Sequence, residues 1–339
     1  MRARLVRLMV SALTLAVMTA CQSPANDDAR RSLEPPTDTP GGNGESVSIE
    51  VGTGPCCLVA TESGVWIQNH RDQTLQLIDP GTNRAGTPIS VPLGDGMLPA
   101  GENLALFDPQ GLAIFDPDSK ESRLVPEVSG LGGVAVDPRT KTVWAGREKD
   151  GRLFRVDPDK AEVMEVLTID GLPSTDNIVV AGPNKLWIAT WEGEILLIDV
   201  PGRRVLTRSR PFGIAEVDIA SAAGSLWAVA VARPTLLRLD SNTGRVEDRK
   251  DIAVAGERDF PRLAEQPDGS LWLASAPNQL HRIDPRSGNT LDSYDIPFSK
   301  DDDLDLYYYG GVLNAFGSVW TTVFDELYED DAVIRLQLR

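Results

Sequence analysis

Two adjacent thiols, Cys56 and Cys57, are the side chains in this 339-residue chain best placed by type and spacing to do chemistry. Neighbouring Cα atoms lie closer than in an ordinary disulfide, so joining these thiols makes a small strained ring. Strained disulfides are the more easily reduced ones, which makes the pair a candidate vicinal disulfide with redox or ligand-contact roles. Two buried reduced thiols, metal ligation and intermolecular pairing are the other states open to it. The chain has two histidines, His70 and His281, and its remaining cysteine is Cys21, so a structural zinc site lacks a ligand set. Acidic clusters at Asp301-Asp302-Asp303, Asp325-Glu326 and Glu329-Asp330-Asp331 lack the spacing of a calcium loop and read as solvated insertions. No metal, cofactor or catalytic residue is assigned.

The elements that must position these side chains form an internal repeat. Apolar strand cores begin at Val65, Leu104, Val143, Leu186, Leu226, Leu271 and Val319. Six carry Trp at the second position (Trp66, Trp144, Trp187, Trp227, Trp272, Trp320), and Ala105 takes that place in the second unit. The intervals of 39, 39, 43, 40, 45 and 48 residues are those of four-stranded propeller blades. A second motif keeps step: LIDP at Leu77, IFDP at Ile114, RVDP at Arg155, LIDV at Leu197, RLDS at Arg238 and RIDP at Arg282, with IRLQ from Ile334 in the last unit. Asp accepts hydrogen bonds from a turn's backbone and Pro presets φ, so Asp79, Asp116, Asp157, Asp199, Asp240 and Asp284 are read as turn residues. The last unit has room for three strands, and the alternating segment Ser46 to Val51 is expected to supply the fourth. The fold class predicted is all-β: a seven-bladed β-propeller of four-stranded blades over residues 46–339.

In such a ring the loops entering the inner strands share one face with those joining the second and third strands. Cys56 and Cys57 fall near that mouth, after the turn Gly52-Thr53-Gly54-Pro55. The same face is expected to carry His70, Arg71 and Asp72; Phe107 and Asp108; Arg147, Glu148 and Lys149; Trp191 and Glu192; Arg233; Arg262; and Tyr307, Tyr308 and Tyr309. Trp191 stands outside the repeat register. With the three tyrosines it suits a sugar ring or a peptide, and blade-interface packing is its other reading.

Upstream, residues 1–20 combine three Arg with an apolar run from Leu8 to Val17 and read as a secretory signal, too short for a membrane span. Met18-Thr19-Ala20-Cys21 resembles a bacterial lipobox, which implies a lipidated Cys21, an exported, extracytoplasmic protein and attachment to the cell membrane or outer membrane. Residues 21–45 are rich in Asp, Pro, Gly and Ser and read as a disordered tether. The formal charge of −17 becomes about −20 without the leader, which argues against nucleic acid as a partner and favours solubility.

The repeat resembles the YVTN-type bacterial surface propellers and their relatives: NHL repeats, virginiamycin B lyase and gluconolactonase-like propellers. Residues 261–272 (PRLAEQPDGSLW) and 74–84 (TLQLIDPGTNR) carry the likeness, which is specific for fold and weak for activity. The lyase relative implies a His on a late blade at the channel mouth, whereas His281 falls on a third strand just before Arg282-Ile283-Asp284. The lactonase-like set of Glu, Asn and Asp around a metal does not assemble from this sequence either. The reading favoured is a monomeric, lipid-anchored, non-enzymatic binding or scaffold propeller for a protein, peptide or carbohydrate ligand. A metal-assisted lyase or hydrolase is the alternative.

Cys21→Ala is expected to move the folded protein from the membrane to the soluble fraction. Retention of the variant in membranes after a salt wash would remove the lipid anchor from this reading.

Overall fold

The computed structural model describes residues 45–182, 184–213, 217–230, 233–252, 262–266, 268–275, 279–296, 311–324 and 331–337. The leader, Cys21, all of the tether but Glu45, and Tyr307, Tyr308 and Tyr309 lie outside the described residues, as does the side chain of Arg233.

The regular elements described are all β-strands, and they assort into seven antiparallel sheets arranged as the blades of a propeller. The innermost strands are Pro55–Thr61, Gly96–Ala100, Leu131–Val136, Asn177–Gly182, Val217–Ala222, Arg262–Glu265 and Val312–Ala315. Within each of the first six blades chain order runs outward from these strands, and in the first blade the fourth strand is split into Arg84–Ala85 and Ile89–Ser90. The seventh blade has Val312–Ala315, Ser318–Val323 and Ala332–Gln337, and Ser46–Glu50 completes it as the outer strand, with Ser46 opposite Leu336 and Glu50 opposite Ala332.

Burial follows position in the blade. The second strands Gly64–Asn69 and Ser318–Val323 are buried at every residue, because both faces of a blade are covered by neighbouring blades. Outer strands such as Arg204–Ser209 alternate between half-buried and exposed residues, as a rim strand with one wet face does.

The two repeat motifs meet between blades. The Trp187 indole N–H of blade four donates to the Ser241 carbonyl at 3.2 Å in the Asp240 turn of blade five. In that turn Gly244 has φ +68°, and a Cβ there would stand 3.0 Å from the Trp187 ring. Trp227 meets Gly288 of blade six in the same way, with φ +71° and 2.9 Å. Glycine is therefore required twice over, by the left-handed backbone and by the indole pressed on it. The Asp residues hold these turns: the N–H groups of Gly81 and Asp118 donate to Asp79 and Asp116 at 2.8 and 2.9 Å and hold both carboxyls below their usual range.

A further regularity joins the motifs. Arg155, Arg238, Arg282 and Arg335 stand directly opposite Trp144, Trp227, Trp272 and Trp320 across the second and third strands. The Arg335 guanidinium lies 4.7 Å above the Trp320 ring and reaches the Asp79 turn of blade one, donating to the Pro80 carbonyl and, at 2.7 Å, to Asn83 Oδ1. This register corrects the last unit: Arg335-Leu336-Gln337, not Ile334, aligns with the Arg155-Val156-Asp157 position, and Gln337 takes the place of the Asp.

Deleting residues 46–51 is expected to lower the melting temperature sharply, since it uncovers the edge of Ala332–Gln337 and opens the ring. Deleting residues 22–41 is expected to leave the transition unchanged. Equal midpoints for the two deletions would contradict closure by the N-terminal strand.

Candidate functional site

The mouth is built from the first residues of the inner strands. In blade one Pro55 lies opposite Asn69, so the inner strand begins where the second strand ends. The pairing then slips: Cys57 is opposite Gln68, and Cys56 is the extra residue between them. In a regular strand successive side chains point to opposite faces. The bulge breaks that alternation and brings the two sulfurs together. Both cysteines are half-buried free thiols, with Sγ atoms 3.0 Å apart.

Blade two and the end of the second strand of blade one supply the rest of this cluster. The carbonyls of Gly94 and Asp95 lie 3.9 and 3.8 Å from Cys56 Sγ and Cys57 Sγ, and Gln68 Oε1 is 3.7 Å from Cys56 Sγ. His70 Nδ1 faces both the Asp95 carboxylate at 2.6 Å and the Gly94 carbonyl at 3.0 Å. The hydrogen bond to Asp95 raises the His70 pKa above 6.5, against the opposing effect of burial. The two thiols share their protons unequally. Cys57 is lowered, chiefly by the hydrogen bond between the two thiols, whereas that same bond together with burial pushes Cys56 well up.

The loop leading into the pair is pinned from three directions. Gly52 N–H donates to Gln76 Oε1 at 2.8 Å, Thr53 N–H to Asp72 at 2.7 Å, and Gly54 N–H to Asp331 of blade seven at 2.6 Å. Asp331, read from sequence as part of a solvated acidic insertion, is thus a clamp on the loop. Arg71 packs its side chain beside Gly54, where a Cβ would come within 3.0 Å of it.

A second polar row crosses blades four to six. Asp218 accepts from the Asn177 side-chain amide at 2.6 Å and from the Leu263 backbone N–H at 2.8 Å. Burial raises its carboxyl, and the positive charge of Arg262 opposes that shift. Elsewhere on this face the side chains are occupied locally. Glu192 accepts from Ser174 at 2.8 Å, and Arg147 donates to the Ser129 carbonyl, pairs with Asp150 at 3.3 Å and stacks 5.1 Å from the Phe154 ring. Trp191 is half-buried. Asp108 is a buried turn residue taking the N–H groups of Gln110 and Gly111, and Phe107 lies across Gly96, where a Cβ would collide with its ring. Arg233 begins its strand opposite Ala230.

The structure therefore gathers His70 with the cysteines, and Arg262 with the row across blades four to six. Asp95, Asn177 and Asp218 are members that the sequence reading missed. A charged residue at the head of an otherwise apolar strand, as in Val217-Asp218-Ile219, was the available signal. His281 sits inside blade six on Gln279–Ile283, between Ser293 Oγ at 2.9 Å and Ser275 Oγ at 3.1 Å, where burial lowers its pKa. Among the described residues no group of three or more His, Cys, Asp or Glu side chains converges as a metal-ligand set.

No protein-family model and no curated protein matches the chain. A crystal structure of the computationally designed Ika8 protein matches it with a TM-score of 0.58 and 12% identity, covering 84% of this chain and 87% of that one. A likeness at that identity is one of fold alone.

The raised His70 pKa fixes a sign. Its ion pair with Asp95 contributes fully below the unfolded-state value of about 6.5 and fades as pH rises through the higher folded-state value. Both groups are about 40% exposed, so His70→Gln is expected to cost below about 1 kcal/mol at pH 5.5 and nothing at pH 9. Denaturant titrations at the two pH values check this; an equal loss at both would assign His70 a role in packing.

Proposed function

We propose that the chain is an exported, lipid-anchored β-propeller that acts as a non-enzymatic binding or scaffold module through its channel-mouth face. The observation that carries this reading is the gathering of charged and polar side chains from blades one, two, four, five and six at the heads of the inner strands. The ligand class that suits such a rim is a polar segment of a protein, a peptide or a carbohydrate, held by hydrogen bonds and the charges of His70 and Arg262. The lipobox-like sequence at Cys21 supports the anchored location.

The test is co-purification from the native envelope. The full-length chain, solubilised in detergent after reversible cross-linking, is expected to retain a specific partner that Arg262→Ala combined with His70→Ala loses at least about tenfold, roughly 1.4 kcal/mol. Circular dichroism confirms that the double variant is folded. Capture unaffected by the double variant would move the binding surface away from the mouth.

A further inference from the structure

We propose that Cys56 and Cys57 are a thiol–disulfide exchange site, a dithiol that is oxidised to a vicinal disulfide by a low-molecular-weight disulfide and reduced again by the corresponding thiol. The inference rests on the geometry of blade one and is independent of what the mouth binds.

Three observations carry it. First, the bulge at Cys56 turns two adjacent side chains to the same side and sets their sulfurs 3.0 Å apart. An ordinary extended strand would separate them to opposite faces of the sheet. Second, the segment that leads into the bulge is fixed by hydrogen bonds that its backbone N–H groups donate to Gln76, Asp72 and Asp331, so the pairing of the sulfurs is a property of the fold. Third, neither thiol is fully buried, and the cationic partner of Asp95, His70, stands beside them. Nucleophilic thiols are found in such partly exposed sites near positive charge. The proton distribution follows the same geometry: the hydrogen bond between the two thiols and the Met97 backbone N–H favour the thiolate of Cys57, burial and the Asp95 carboxylate oppose it, and the His70 charge offsets part of the Asp95 effect.

The step balances without a metal or a second cofactor. The Cys57 thiolate attacks one sulfur of the disulfide R–S–S–R, the S–S bond breaks, and R–S⁻ leaves as a mixed disulfide forms on Cys57. Cys56 then gives its proton to the departed thiolate, and its sulfur attacks Cys57 Sγ and expels the second R–S⁻. Two protein thiols are oxidised to one disulfide while one external disulfide is reduced to two thiols. Because the ring formed joins neighbours, it is strained and readily reversed, and it closes almost no loop, so it adds little to stability.

Glutathione is the probe. The full-length protein in detergent is equilibrated across ratios of reduced to oxidised glutathione, quenched in acid, alkylated and read by mass spectrometry. The result expected is a reversible change from two alkylated thiols to a form two hydrogens lighter that takes no alkyl group, with the melting temperature nearly unchanged. Cys56→Ser is expected to trap glutathione on Cys57. Cys57→Ser is expected to react with oxidised glutathione more than about tenfold more slowly, because burial and the Asp95 carboxylate still disfavour the thiolate of the remaining Cys56. In wild type, His70→Gln is expected to shift the pH profile of alkylation upward, a change that loss of packing alone does not produce. Full alkylation of both cysteines at every ratio, or stable glutathione adducts on wild type without the internal disulfide, would overturn the proposal.

Discussion

A single four-stranded blade carries apolar side chains on both faces and cannot bury them by itself, so the molecule depends on the contact between successive blades. That contact is made by a large indole in the second strand of one blade and a tight turn in the next. Trp187 against Gly244 and Trp227 against Gly288 show the fit: the turn has to be thin where the ring presses on it, and glycine in the left-handed conformation makes it thin. The arginines opposite Trp144 and Trp320 extend the idea, since the guanidinium groups of Arg155 and Arg335 lie over those indoles and cover them from the rim. Where the arginine reaches across, as Arg335 does to blade one and Arg238 to the Arg286 carbonyl of blade six, it also supplies donors to the neighbouring turn. Closure of the seventh blade by Ser46–Glu50 is the hydrogen-bonded counterpart, because it ties the two ends of the ring into one sheet.

Around the channel the constraint changes. The inner strands of adjacent blades do not pair with each other, so their free edges must find other partners for backbone N–H and carbonyl groups. Side chains from neighbouring blades provide them. Asp218 takes the Leu263 N–H. Gln266 takes the Asn314 N–H at 2.7 Å and donates to the Val312 carbonyl at 3.0 Å, and Gln68 donates to the Leu93 carbonyl at 3.0 Å. Much of the polarity near the channel is therefore structural, and a functional reading has to rest on groups this bookkeeping leaves over. Arg262, the two cysteines and the Nε2 side of the His70 ring, whose Nδ1 already faces the Gly94 carbonyl, are such groups.

The fold was legible in the sequence because its signals are local and repeated. Trp in a short apolar strand and Asp at a turn each report on a few residues, and seven spaced copies leave one architecture. The closing strand was legible because the last unit ran out of chain and an alternating segment stood at the other end. The arginine register was not read, since it becomes visible only when two strands of a blade are laid side by side, and a one-residue offset at Ile334 hid it in the last unit. The mouth was legible as a location through the rule for which loops share a face. Its partnerships were not, because Asp95 reaches His70 across 25 residues and Asp218 reaches Leu263 across 45, and no spacing rule joins residues on different blades.

The cysteines fall between these cases. Their adjacency is a fact of sequence and their place at the head of an inner strand follows from the repeat, but the bulge that aligns the sulfurs depends on how blade one pairs with itself. A bulge at this point costs the sheet little: the first residues of an inner strand lie at a free edge, and the loop before them is already tied to blade seven through Asp331 and to the third strand through Gln76. Blade packing, which holds the ring, lies farther out along the indoles. Chemistry at the bulge therefore acts beside the Gly94 and Asp95 carbonyls of blade two, on backbone that lies away from the indole contacts between blades.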